Sequence, residues 1–117
     1  MSLYLVTNNK KKLITKKVVK RTSLLSKATG LMFHKRILDE AHIFYFNKSF
    51  RISLTMFFVF FPIDVVFLKN DRVVEIKECF LPFTNYKSSS DANIFIELPR
   101  GFIKSKGISL NSQIIMK

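Results

Sequence analysis

The stretch that most constrains this fold runs from Leu54 to Leu68, Leu-Thr-Met-Phe-Phe-Val-Phe-Phe-Pro-Ile-Asp-Val-Val-Phe-Leu. It holds a single carboxylate, Asp64, in otherwise apolar surroundings. Just upstream the chain alternates. Ile52, Leu54 and Met56 fall on one side, and Arg51, Ser53 and Thr55 on the other. A period of two is the strand period, with one face buried and one wet. From Phe57 onward both sides are apolar, which suits a strand covered on both faces. Pro62 has no amide proton to give a central ladder, so it marks a bulge or a strand start. Ile63 to Leu68 then resumes as a β-branched run, and the stretch reads as a central strand pair. A membrane span is the competing reading. It needs about 20 apolar residues, and this run is shorter and broken by Pro62 and Asp64.

A chain of 117 residues is expected to form one domain around one core. Hydrophobic residues make up 48% and there are 13 Phe, so core material is plentiful. With three Gly and three Pro, each should mark a specific turn. One cysteine, Cys79, excludes an internal disulfide and a cysteine-rich zinc site. Leu3 to Val6 is too short an apolar run for a secretory signal, and lysines follow it, so cytoplasmic residence is the expectation. The net charge of +12 is lopsided: ten of the 20 Lys and Arg residues lie between Lys10 and Arg36, and the first acidic residue is Asp39. Such a footprint favours polyanions, whether nucleic acid or an anionic surface. The plainer reading is a solvated basic face, since no nucleic-acid motif accompanies the charge.

In chain order, Leu3–Val6 reads as a short strand and Thr7–Lys12 as an exposed turn. Val18-Val19 is the most strand-like part of the next segment. Thr22 or Ser23 can cap a helix whose apolar residues, Leu24, Leu25, Ala28, Leu31 and Met32, recur at helical spacing. This is the one short helix expected, near residues 23–32, with Gly30 near its end. Ala41–Phe46 reads as a strand and Asn47-Lys48-Ser49 as a turn. Lys69-Asn70-Asp71-Arg72 separates two β-branched runs and signals a hairpin. Thr84–Asp91 reads as a polar loop. Asn93–Leu98 alternates, with Ile94, Ile96 and Leu98 on one side. Turns follow at Pro99-Arg100-Gly101 and Gly107, and Gln113–Met116 reads as a last strand. The fold class is therefore mainly β, α+β at the margin.

Several fragments stand in a telling order: Gly30-Leu31-Met32-Phe33 after the capped helix, Met56 to Leu68, Leu81-Pro82-Phe83 with Tyr86, then Glu97-Leu98-Pro99-Arg100-Gly101 with Gly107-Ile108. The set resembles the uncharacterised domain of unknown function 192 family, in its archaeal form, over roughly residues 18–115. The resemblance implies a compact, mostly antiparallel sandwich- or barrel-like sheet with one short helix, and it brings no function. Lys27 stands where the family usually has an Arg three residues before the Gly-Leu-Met motif, which would weaken a bidentate carboxylate pair to a point-charge contact. Many bacterial members also carry an export signal, which this chain does not show.

Asp64 is the residue to watch. Buried and unpaired it would cost several kcal/mol, so it needs a partner: Arg21, Lys27, His34, or backbone amides released near Pro62. It can serve as a ligand- or cation-binding carboxylate in a pocket, or as a structural tie between the helix region and the sheet. The candidate ligand-binding set is Asp64, Lys27, Gly30, Met32 and Phe83. The candidate polyanion-binding set is Lys10, Lys11, Lys12, Lys16, Lys17, Lys20, Arg21, Lys35 and Arg36. His34 and His42 have no Cys or Asp at metal-ligand spacing, so no metal and no cofactor are expected. No phosphate loop, nucleophile elbow or glycosidase carboxylate pair can be assigned. The preferred reading is a non-enzymatic binding or interaction module with a pocket or surface near Asp64. Polyanion binding through the basic N-terminal region is the alternative, and an enzyme of unassigned class the third.

Overall fold

The computed structural model describes residues 1–21, 39–56 and 61–117, and the statements below concern those. The helix expected near residues 23–32 lies outside them. Eight strands are present: β1 (Leu3–Thr7), β2 (Lys10–Thr15), β3 (Val18–Arg21), β4 (Ala41–Thr55), β5 (Ile63–Lys69), β6 (Arg72–Phe80), β7 (Asn85–Pro99) and β8 (Gln113–Met116). One five-residue helix, α1 (Phe102–Lys106), lies between β7 and β8. The strands form one mixed sheet in the order β2-β1-β8-β6-β5-β7-β4-β3. Only the β3–β4 pair is parallel.

The two outermost strands, β2 and β3, follow one another in sequence, joined by Lys16 and Lys17 alone. Laid flat, eight strands would separate those edges by about 34 Å. The link from Thr15 to Val18 reaches only about 11 Å. The sheet must therefore curl until its edges nearly meet, and it does so without closing into a barrel.

Curling lets both faces be covered. β5 has six successive buried residues, Ile63 to Leu68. On one face Val66 and Leu68 pack with Leu3, Leu5, Ile14, Ile43, Ile96 and Ile103 in an aliphatic cluster. On the other, Ile63, Val65 and Phe67 pack with Phe44, Ile52, Phe80 and Phe95 in an aromatic-rich one. Phe44 and Phe95 stack there, centroids 4.4 Å apart. Ile94, Ile96 and Leu98 share the aliphatic face, as the alternation predicts.

Four local expectations need correction. The turn at Asn47-Lys48-Ser49 does not form: β4 runs through it, and its register with β7 shifts between Tyr45 and Phe50. The loop over Thr84–Asp91 is strand from Asn85 onward. Its polar side chains look like loop residues because they sit on an arm where β4 and β7 pair with each other beyond the end of β5. Ser88 is buried there, and its hydroxyl accepts the Ile52 N–H at 2.8 Å. The first turn is only Asn8-Asn9, both at positive φ, and Lys10–Lys12 are already strand. The central strands β4 and β5 are not neighbours, because β7 lies between them. Pro62 does precede a strand, and the hairpin at Asn70-Asp71 is present, with Lys69 opposite Arg72.

The β4/β7 arm folds back over the aromatic face of β5 and β6, where Glu75 of β6 fastens it. One Glu75 oxygen accepts the N–H groups of Ser89 and Ser90, each at 2.8 Å. The other accepts the Tyr86 hydroxyl. That hydrogen bond, helped by partial burial, pushes the Tyr86 phenol up to about 12. A phenol raised in the folded state keeps its stabilising effect below the unfolded value near 10 and loses it as pH climbs through the folded one. Stability is thus expected to decline between about pH 10 and about pH 12. In Glu75→Gln the Tyr86 ionisation seen by ultraviolet absorbance should move down toward that of free tyrosine. An unmoved titration would contradict the clamp.

Candidate functional site

Asp64 sits at the start of β5, on the aliphatic face, and is 1% exposed. Between β5 and β6 the register gains a residue: Ile63 faces Phe80, but Val65 faces Lys77. The extra residue bulges β6 at Cys79, whose φ is 51°. Its N–H, turned out of the ladder, donates to Asp64 Oδ1 at 2.9 Å. Asp64 Oδ2 accepts the N–H groups of Gly101 and Ile103, each at 3.0 Å. Gly101 has φ 89°, which glycine adopts freely, and offers α1 no side-chain cap. Asp64 supplies that cap from another strand. Backbone amides were among the partners expected for it, but these come from a β6 bulge and a helix start, not from the chain beside Pro62.

A second polar group lies where β3 and β4 begin. His42 is 1% exposed, with its Nε2 3.1 Å from Glu40 Oε1. Glu40 Oε2 lies 3.0 Å from the Lys17 ammonium. The hydrogen bond from Lys17 holds the Glu40 carboxyl below the usual carboxylate range against partial burial, and His42 adds to it. Glu97 of β7 stands directly opposite His42 in the register. Sequence reading missed Glu40 and Glu97. A period-two spacing of Glu40 and His42 was the available signal for the first. The second needs the strand register, which is not local.

The third feature is a cleft of about 240 Å³ at the far end of β5. Leu3, Ile43, Leu68, Ile94, Ile96 and Ile114 line it, with Tyr45, Asn70 and Asp71 also on its wall. Burial raises the Tyr45 phenol, whose hydroxyl lies 4.0 Å from the Met116 sulfur. Asn70 and Asp71 are held in place: the Asn70 N–H donates to Asn93 Oδ1 at 2.8 Å, and Gln113 Nε2 donates to Asp71 Oδ2 at 2.6 Å. Two larger clefts, of about 420 and 410 Å³, lie beside Tyr86 on the arm and beside α1. Their linings mix lysine, serine and acidic or amide groups.

The residues singled out from sequence are dispersed. Phe83 is 58% exposed at φ 61°, its N–H donating to the Met56 carbonyl at 2.8 Å. Lys10, Lys11, Lys12, Lys16, Lys17 and Lys20 are all exposed. Arg21 ends β3. Lys27, Gly30, Met32, Lys35 and Arg36 lie outside the described residues, as does His34. Among the described residues no three His, Cys, Asp or Glu side chains gather to hold a metal, and no helix is long and apolar enough to cross a membrane.

The family model DUF192, described as an uncharacterized ACR, matches residues 5–116. No curated protein matches the chain. A crystal structure from Sinorhizobium meliloti 1021, described as a "putative transcription regulator", superposes with a TM-score of 0.86 at 20% identity, covering 97% of this chain and 91% of its own. A protein of unknown function from Novosphingobium aromaticivorans DSM 12444 superposes with a TM-score of 0.86 at 19% identity, covering 99% of this chain and 84% of its own. At such identities the likeness shows the fold alone.

Replacing Asp64 strands three donors, on buried Ile103, half-buried Cys79 and exposed Gly101. Asp64→Ala should lower unfolding free energy in urea by about 3 kcal/mol or more, and Asp64→Asn by about 2 kcal/mol, because its amide nitrogen points a donor at donors. The Gly101 and Ile103 amides should exchange faster in both. An unchanged urea midpoint in Asp64→Ala would refute the anchoring role.

Proposed function

The chain belongs to the DUF192 family, uncharacterised as a whole, and from that footing we propose that it is a non-enzymatic binding module for a small apolar or amphiphilic molecule. Its site is the aliphatic cleft between β1, β8, β4 and β7, at the opposite end of β5 from Asp64. The observation that carries this reading is the lining: six aliphatic side chains converge on a concave space, with a phenol, an amide and a carboxylate in the same wall. Pockets that take small molecules have that make-up, an apolar body with few placed polar groups, and lie at the mouths of curled sheets.

Size narrows the ligand. The volume of about 240 Å³ is below the roughly 300 Å³ at which drug-sized sites begin. It suits a short hydrocarbon or a small ring, with a hydrogen-bonding head near Tyr45 and Asn70. The polar wall of the cleft is itself held, because the Asn70 N–H donates to Asn93 Oδ1 and Gln113 Nε2 donates to Asp71 Oδ2, so binding orders little further chain.

The small fluorophore 1-naphthol, used as the probe, should gain neutral-form emission on binding the protein. Ile94→Trp, which fills the cleft from a half-buried wall position, should weaken that binding about tenfold, corresponding to about 1.4 kcal/mol. Short-chain alcohols should compete with the probe. If Ile94→Trp melts like the parent chain and binds the probe equally well, the cleft is not the site.

A further inference from the structure

A different surface carries a different ligand chemistry. β1 is flanked by β2 on one side and β8 on the other, and the outward face of these three strands has a readable pattern. Tyr4 is opposite Leu13 on β2 and Ile115 on β8. Val6 is opposite Lys11 on β2. Ser2 is tied to Lys117 by two backbone hydrogen bonds of 2.7 and 2.9 Å. Residues directly opposite in an antiparallel pair share a face. Tyr4, half-buried while Leu3 and Leu5 beside it are buried, therefore points outward with Lys11 and Lys117 at diagonal corners around it.

We propose that this face binds single-stranded nucleic acid, with Lys11 and Lys117 holding phosphates and Tyr4 offering its ring to a base.

Three observations support it. The first is charge: β1, β2 and β8 contain no Asp or Glu, and Lys16 adds a further exposed cation at the end of β2. Second, the two corner lysines flank Tyr4 from opposite sides of β1. The Lys117 ammonium holds Lys11 below the usual lysine value, chiefly through direct side-chain contact. Two like charges held together are relieved by an anion placed between them. Third, the face is narrow. The outer two of three strands are separated by about 10 Å, which suits one flexible backbone laid over an aromatic platform. A lipid surface would want several apolar groups standing proud of the lysines, whereas Val6 and Ile115 are half-buried among them and on this face Leu13 alone of the three is exposed, at 37%. This site shares no residue with the walls of the ligand cleft except Ile115, and it does not depend on that reading.

The test is fluorescence anisotropy of a labelled oligothymidylate of about 20 nucleotides, titrated between about 50 and about 200 mM salt. Binding is expected, with a log–log salt slope near −2, about 0.7 for a phosphate contact at each of Lys11, Lys117 and Lys16 on a single strand. Lys11→Gln with Lys117→Gln, both at surface positions, should flatten that slope by about 1.4. Tyr4→Leu should weaken binding at least fivefold and leave the slope unchanged, while Tyr4→Phe should bind as the parent does. Melting curves confirm that each variant is folded, and the lysine pair alone decides the matter if Tyr4→Leu is not. No binding at the lowest salt overturns the proposal. So does a folded lysine pair with an unaltered slope, or a folded Tyr4→Leu with unaltered affinity. Binding to phosphatidylserine vesicles without binding to the oligonucleotide would assign the face to membranes instead.

Discussion

The fold rests on one buried carboxylate that never meets a cation among the described residues. Asp64 takes its hydrogen bonds from three backbone amides, belonging to a bulge in β6 and to the first turn of α1. Each of those amides is released by local irregularity. Cys79 is out of its ladder, and Gly101 and Ile103 belong to a helix start with no intrahelical acceptor. A charged acceptor makes stronger hydrogen bonds than a neutral one, so one side chain satisfies three donors, of which that of Ile103 is buried and that of Cys79 half-buried. Strand, bulge and helix are thereby fixed to one another, and Ile103 is pressed into the aliphatic cluster.

From that corner the rest follows as a problem of covering two faces with one sheet. The N-terminal strands curl over the aliphatic face, and the long β4/β7 arm folds over the aromatic one. The two clusters differ in kind. Branched aliphatic side chains fill the concave inside of the curl, and phenylalanines fill the space beneath the arm. Glu75 does for the arm what Asp64 does for α1: an acid on the central strands catches amides displaced from regular pairing. The curl leaves its aliphatic filling incomplete at the Leu68 end, and the cleft is that incompleteness.

How much of this could be read in advance depended on range. The two-sided burial of Ile63–Leu68, the hairpin at Asn70-Asp71 and the alternation of Ile94, Ile96 and Leu98 were legible, because each depends on neighbouring residues only. The need of Asp64 for partners was legible from its apolar neighbours. The partners were not, since main-chain amides leave no trace in side-chain composition. β4 was cut at Asn47 and β7 begun too late because polar side chains on a bent, half-wet arm imitate loops. α1 was missed for its length: five residues between two glycines are too few to display a helical period. The cleft needed Leu3 and Ile114 to meet Ile43 and Ile96, contacts that no local pattern announces.

The pairing of β1 with β8 sets Leu3 against Met116, residues far apart in sequence. During synthesis the β1/β2 hairpin is made well before β8, the strand that pairs it into the rest of the sheet. Closing a loop that long is costly in entropy and slow relative to local pairing. Until it closes, Leu3, Leu5 and Ile14 lack the Ile114 side of their aliphatic cluster, and the exposed Lys10, Lys11 and Lys12 keep the waiting segment dissolved.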